Sequence, residues 1–307
     1  MNLERILRPF VEPSAAAAAL EFSSFGLVGA RVESVRGKAE LRAIAMEPFS
    51  EGAFAPKLED PGFVRKDEIR EAIKRVLAQI GAAPGTRAAI VVPDIVARFR
   101  LFAQEEVSAE PKKRDAVVAF RMQKLLPFSS SEVKVISAWP RSSRDPVLAI
   151  GMSTAVLTAY DQVGQAFGLD VGSVEASSMA LLRGLASQGD ALLVRHDPAW
   201  LTLTLTRDGW PVSIRSFDDA VSRSEEEVRR EIASTSVFWK DRLGGGRLTT
   251  AWVHSSDSWF GSLSDAVSQV FDCAVVKVQP PPGLTVSGVP PSIERAAAPA
   301  LSLLVRV

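Results

Sequence analysis

Apolar residues along this chain switch repeatedly between strand-type and helix-type spacing, and that alternation leaves few architectures open. Residues 19–45 read as β-rich: Leu41, Ala43 and Ala45 alternate, after a turn at Arg36-Gly37-Lys38. A proline- and glycine-bearing loop over 47–63 follows. Ile69, Ile73, Val76 and Ile80 then recur at helical spacing over 65–80, and Gly81 ends the run. Residues 88–92 form a short apolar run closed by Pro93, as a buried strand requires. Strand 95–102, helix 111–126, strands 133–139 and 147–152, helix 154–167, strand 171–175 and helix 177–185 continue the series. Strands that alternate with helices imply a layered α/β fold.

A second unit opens near Gly189, with a strand at 191–195. Leu201, Leu203 and Leu205 alternate with threonines over 200–206, which reads as a half-buried strand. Asp208-Gly209 is a hairpin turn, and 212–217 is the return strand. A long helix over 224–242 places Glu226 and Arg230 at i,i+4, and Gly244-Gly245-Gly246 ends it. Strand 249–254, helix 259–271 and strand 274–278 follow. Prolines at 280–282 and 290–291 read as rigid linkers. A last helix is expected over 293–305, kinked or shortened by Pro299.

Bulk numbers narrow the function classes. A chain of 307 residues with 47% apolar content can bury a large core in two domains. Its 36 basic and 36 acidic residues cancel, so the basic excess of a nucleic-acid binder is missing. Cys273 is alone, which excludes an intrachain disulfide and suits a reducing compartment. With His196 and His254 as the two histidines, no Cys-rich zinc site can form, and no metal site is expected. No run of 18 apolar residues exists, so no membrane span is expected. The apolar run at 15–20 is too short for a signal peptide, and a cytoplasmic location is expected.

The most distinctive stretch is a basic amphipathic helix, with Val118, Met122 and Leu125 on one face, that stops at Leu126-Pro127-Phe128. Ser129-Ser130-Ser131 and a strand follow it. The words Phe120-Arg121-Met122-Gln123-Lys124-Leu125-Leu126-Pro127-Phe128 and Glu132-Val133 resemble the type IV pilus assembly protein PilM family. So do the strand ending in Val92-Pro93, the passage Val163-Gly164-Gln165-Ala166-Phe167-Gly168-Leu169 with Val174-Glu175-Ala176, the helix over 227–242, and the closing segment over 298–306. That family belongs to the actin-like superfamily, beside the cell-division protein FtsA and the cytoplasmic part of the type II secretion L protein. The resemblance spans nearly the whole chain. It implies an α/β, actin-like fold of two ribonuclease-H-like subdomains with a small inserted subdomain. The bounds it suggests are an N-terminal arm over 1–18, domain I over 19–188 with the insert at about 94–140, domain II over 189–292, and a closing segment over 293–307.

Actin-like proteins bind nucleotide between two sheets, and phosphate cradling calls for glycines and a metal-facing aspartate. At the first phosphate loop this chain has Glu21 for the aspartate and Ser23 for the glycine, with Ser24 next. At the second it has Arg195 for the aspartate and Asp197 for the glycine. Ser255 and Ser256 replace the Gly-Gly pair of the adenosine loop. Three altered loops argue against ATP hydrolysis, so no catalytic residue and no cofactor is expected. The resemblance still admits bound ATP and Mg, and Arg195 is able to neutralise a phosphate without metal.

In PilM-like proteins, the groove beside the inserted subdomain receives the N-terminal peptide of a bitopic membrane partner, PilN. Arg121, Lys124, Leu126 and Phe128 are the expected partner-binding residues, with Glu47 and Asp60 as acidic candidates. Pilus motor ATPases are further partners that the resemblance admits. The expected function is a non-catalytic cytoplasmic scaffold of the type IV pilus inner-membrane platform, peripheral at the inner face of the membrane. The alternatives are an ATP-binding switch in pilus or type II secretion assembly, and a serine hydrolase built on Ser153 in Gly151-Met152-Ser153-Thr154-Ala155. The plainer reading of that word is a helix cap. Lys112-Lys113-Arg114 read as a solvated helix face, and the glycine triplet as a loop after a helix.

Overall fold

The computed structural model describes residues 16–35, 38–107, 110–185, 189–281, 284 and 289–305. Most of the expected arm, the Arg36-Gly37 part of the first turn and Pro282 lie outside the described residues. In chain order come β1 (Ala18–Ser23), β2 (Gly26–Val35), β3 (Lys38–Pro48), α1 (Lys66–Ile80), β4 (Arg87–Val92) and β5 (Ala97–Phe102). Next are α2 (Pro111–Gln123), β6 (Val133–Ala138), β7 (Val147–Ser153), α3 (Thr154–Ala166), β8 (Asp170–Ala176) and α4 (Ser177–Gly184). The second unit holds β9 (Asp190–Asp197), β10 (Trp200–Arg207), β11 (Trp210–Phe217), α5 (Asp219–Ser222), α6 (Glu225–Arg242), β12 (Thr250–His254), α7 (Asp257–Val270) and β13 (Ala274–Lys277). Helices α8 (Pro291–Ala296) and α9 (Ala298–Leu304) close the chain.

Two five-stranded sheets, ordered β3-β2-β1-β4-β8 and β11-β10-β9-β12-β13, form the frame. Each has a central strand paired antiparallel on one side and parallel on the other. In the first sheet, Leu20, Phe22, Ile90 and Val92 pack under α1 through Ile69, Ile73, Val76 and Ile80. Gly81 ends that helix in the left-handed region, φ +66°, where glycine avoids the Cβ penalty. The opposite face, with Ala19, Val28, Ala30 and Ala89, is covered by Ala297, Ala300, Leu301 and Leu304 of the closing helices. Glu21 sits in β1 between two residues of the α1-facing row, and so it faces the other way.

In the second sheet, Leu201, Leu203 and Leu205 pack against Val228, Ile232, Trp239, Leu263 and Val267 of α6 and α7. The Asp208-Gly209 turn has both residues at positive φ, +46° and +79°, the backbone a tight hairpin needs. Strand β10 departs from its half-buried expectation. Thr202, Thr204 and Thr206 are buried as fully as the leucines, because β10 also lies against the 3-10 turn Asp94–Val96 of the first unit.

A third sheet, ordered β5-β7-β6, carries α2 on one face. It takes in β7, so the inserted unit runs on to Ser153 instead of closing near residue 140. Helix α2 ends at Gln123, short of Leu126. On α6 the i,i+4 pair is Arg229–Glu225 at 2.8 Å, while Arg230 pairs with Glu227 instead of Glu226. The expected last helix is two, broken at Ala297, with Pro299 in the first turn of α9, where its missing N–H does no harm.

Candidate functional site

The β1–β2 hairpin of the first sheet and the end of β9 in the second meet in one buried polar cluster. Glu21 is 1% exposed and Arg195 is 2% exposed, and Arg195 Nη2 lies 3.2 Å from Glu21 Oε1. The rest of the guanidinium is held as well. Its Nε donates to Ser177 Oγ at 2.9 Å and its Nη1 to the His196 carbonyl at 2.9 Å. Its carbon lies 5.3 Å from the Trp200 ring centre. Asp197 accepts from the Ser24 backbone N–H at 3.1 Å, from the Ser24 hydroxyl, and from the Ala199 N–H at 2.9 Å. The first-sheet hairpin is thus tied to the second sheet by an ion pair and an Asx-type clasp.

Among the described residues, Arg195 is the buried cation that faces three buried carboxyls, Glu21, Asp94 and Asp197. One positive charge cannot keep three desolvated carboxylates ionised. Burial pushes Glu21 up to about 8 against the attraction of Arg195, and it also raises Asp94 and Asp197. Burial lowers His196 to about 4 and drives His254 well down, so both stay neutral near pH 7. Their Nε2 atoms sit 2.8 Å from the Ser222 carbonyl and 2.9 Å from the Arg295 carbonyl.

A cavity of about 240 Å³ remains beside this cluster. Its walls bring together Glu21, Ser23, Arg195, Ser255 and Ser256, five of the seven residues expected at the nucleotide loops. The other two, Ser24 and Asp197, are bonded to each other. Among the described residues, Glu21 Oε2 and His254 Nδ1, on the same walls, have no hydrogen-bond partner. Sequence reasoning missed Asp94, which is fully buried and accepts from the Ser178 N–H at 2.9 Å and from its hydroxyl. Its only signal was its place directly after the Val92-Pro93 word.

A second site opens between the inserted sheet, β8 and the β10–β11 turn. This groove has a volume of about 720 Å³ and is mostly apolar. Strand alternation builds it: Val133 and Val135 of β6 turn toward α2, while Ile136 and Ala138 turn toward the groove. In β7, Val147 and Ala149 join α2, while Leu148, Ile150 and Met152 line the groove. The four residues expected to bind a partner lie on the α2 side. Leu126 and Phe128 pack in its core, Arg121 pairs with Glu106 at 2.7 Å, and Lys124 Nζ sits 4.6 Å from the Phe120 ring centre. None of them lines the groove. Glu47 is held by Arg75 and Gln79, and Asp60 accepts from Gly62 in a turn. Ser153 stands at the N-cap of α3 without a side-chain cap bond, and the hydrogen bonds of His196 and His254 go to the Ser222 and Arg295 carbonyls.

Two ribonuclease-H-like sheets joined across a polar cleft, with a small inserted sheet, define an actin-like fold. No protein-family model matches the sequence, and neither does any curated protein. Solved structures carry the likeness. The chain superposes on the PilM-PilN type IV pilus biogenesis complex with a TM-score of 0.74, at 15% identity, over 95% of this chain and 97% of that one. The cytoplasmic domain of EpsL, an inner-membrane component of the Vibrio cholerae type II secretion system, gives 0.52 at 10% identity over 94% and 98%. A Bacteroides thetaiotaomicron protein with an actin-like ATPase fold and unknown function gives 0.51 at 10% over 87% and 91%. The expected fold class is therefore the observed one. Among the described residues, no helix is long and apolar enough to cross a membrane.

Proposed function

We propose that this chain is a PilM-like scaffold that grips the extended cytoplasmic tail of a membrane partner and turns over no nucleotide. The observation that carries this reading is the open apolar groove of about 720 Å³ beside the inserted sheet. It is bordered by β6 and β8, each an end strand of its sheet. An end strand offers unpaired backbone groups, and alternate apolar pockets along it give an extended peptide its register. Held by the tail of a PilN-like bitopic protein, the chain would sit at the inner face of the cytoplasmic membrane.

The nucleotide side of the reading rests on the donor set. A guanidinium stands where the fold family places a metal-facing carboxylate, and it is locked to Glu21. Such a charge repels Mg²⁺. Among the described residues, no group of three His, Cys, Asp or Glu is placed to hold a metal ion. The remaining cavity of about 240 Å³ falls below the ~300–1,000 Å³ usual for ligand pockets. Mg-ATP does not fit these residues, and no catalytic step is assigned to them.

A pulldown of the membrane partner, with and without its cytoplasmic tail, tests the scaffold reading. Recovery that depends on the tail supports it, and recovery unchanged by tail deletion sinks it. Thermal unfolding with excess Mg-ATP tests the nucleotide side. A ligand that binds only the folded chain must raise the midpoint, and a clear rise would put the ATP-switch reading ahead.

A further inference from the structure

A third cleft, of about 990 Å³, belongs to neither site. It lies between β5, an end strand of the inserted sheet, and β11, an end strand of the second five-stranded sheet. Phe99 and Leu101 of β5, Ile214 of β11 and Phe238 of α6 supply apolar walls, and Phe238 is 39% exposed. Four arginines stand among them: Arg100, Arg144, Arg207 and Arg215. Arg215 is neutralised by Glu231 at 2.7 Å, and Arg207 lies 3.7 Å from Asp190 and 3.9 Å from Asp145. Arg100 and Arg144 are exposed and, among the described residues, have no carboxylate within ion-pair distance. The same holds for Arg98 on β5 and Arg141 at the start of the adjoining loop. Of the acidic wall residues, Asp145 is paired with Arg207, while the exposed Glu105 has no cation within ion-pair distance among the described residues.

We propose that this cleft is a docking surface for an acidic, extended segment of a partner protein, separate from the tail groove. Unpaired arginines at a cleft rim favour carboxylates, which they bind through two parallel N–H donors. The apolar walls beneath them call for more than charge. An extended segment sends successive side chains to opposite sides every ~3.3 Å, so alternating acidic and apolar residues meet both features at once. The edges of β5 and β11, unpaired among the described residues, supply main-chain donors and acceptors. A flat anionic membrane would reach the exposed arginines but leave the walls between the two sheets in water.

The test uses the full chain and a short fluorescein-labelled peptide of alternating glutamate and valine, read by fluorescence anisotropy. Saturable binding that weakens as salt rises is expected. The Arg100→Glu/Arg144→Glu double variant should bind about tenfold more weakly or worse. Lys134→Glu, in the tail groove, should leave binding unchanged, and a lysine–valine peptide should not bind. If charge reversal lowers the melting midpoint, Arg100→Gln/Arg144→Gln replaces it. Peptide binding that is absent, or equal in the double variant, overturns the proposal. So does competition by the membrane partner's tail, which would merge the two sites. Phosphatidylglycerol vesicles are the remaining arm: vesicle binding lost in the double variant, with no peptide binding, assigns the arginines to lipid instead.

Discussion

The two places where the inserted and first units meet their neighbours have opposite chemistry. Between the five-stranded sheets, Arg195 bonds Glu21 and Asp197 bonds Ser24 inside the molecule. Beside the inserted sheet, Ile136 is 57% exposed and lines a groove that none of the described residues fills. Three carboxyls that share one guanidinium leave the polar cleft little free positive charge, whereas an apolar groove left in water gains from every apolar group that covers it. The actin-like fold thus keeps both openings, with about 240 Å³ left in the polar one and about 720 Å³ in the apolar one.

The sharpest way to break this contrast is to remove the buried cation. Arg195→Ala would leave Glu21 and Asp197 without their common counter-charge and Ser177 and His196 without its donors. Breaking a buried ion pair on one side destabilises by roughly 3–5 kcal/mol, measurable by urea denaturation. A loss below about 1 kcal/mol, the level of an exposed pair, would mean that the two sheets are held together by something else. Because Glu21 holds its proton up to about pH 8, adding Glu21→Gln should recover part of the loss only above that pH.

Acidity probes the same cluster. Glu21 has a folded pKa of about 8 against 4.5 for a free side chain. As pH rises through that window, the unfolded chain releases a proton that the folded chain retains, so Glu21 lowers stability progressively between about 4.5 and 8. His196, lowered from 6.5 to about 4, acts with the opposite sign: its contribution is lost as pH falls below 6.5. The two slopes oppose one another below 6.5 and leave a net decline from there to about 8. Melting midpoints should fall over that upper range in the native chain and stay flatter in Glu21→Gln. Equal slopes in both would remove Glu21 from the cluster's electrostatics.

Much of the frame was legible because it is local. The leucines of β10, the Asp208-Gly209 turn and the stop at Gly81 each declare themselves within a few residues. The burial of Thr202, Thr204 and Thr206 did not, because polar alternation signals a wet face and the covering turn at Asp94 comes from another unit. The site was half legible. Its loops could be placed by order, yet the Ser24–Asp197 clasp joins residues 173 positions apart. Arg195 reads in sequence as a lost metal ligand, and only the fold turns it into the counter-ion of Glu21. Basic helix residues drew attention to Arg121 and Lys124, while the groove lies on the other face of the same sheet, assembled from β6, β7 and β8.

That last mismatch gives the next prediction. Ile136→Asp should leave the melting midpoint nearly unchanged, since the side chain is largely exposed, but weaken tail binding by at least about tenfold, or ~1.4 kcal/mol. Arg121→Glu, on the α2 side, should change the affinity little. Isothermal titration with the partner's tail peptide ranks the two. The opposite order would move the tail onto the α2 face and leave the groove without an occupant.

Trp210 offers the smallest and most discriminating change. It starts β11, lines the groove, and donates from Nε1 to the Pro146 carbonyl at 2.8 Å, linking the second unit to the loop before β7. Trp210→Phe keeps an aromatic wall and removes that one bond, which is worth about 0.5–1.5 kcal/mol. If the groove is a rigid slot, its loss should appear in tail affinity as well as in stability, because the turn and the inserted sheet are then free to shift apart. Stability lowered with unchanged affinity would show that β6, β7 and β8 alone shape the groove. The groove would then belong wholly to the first unit and its insert, unlike the polar cleft, which Arg195 and Asp197 of the second unit help to form.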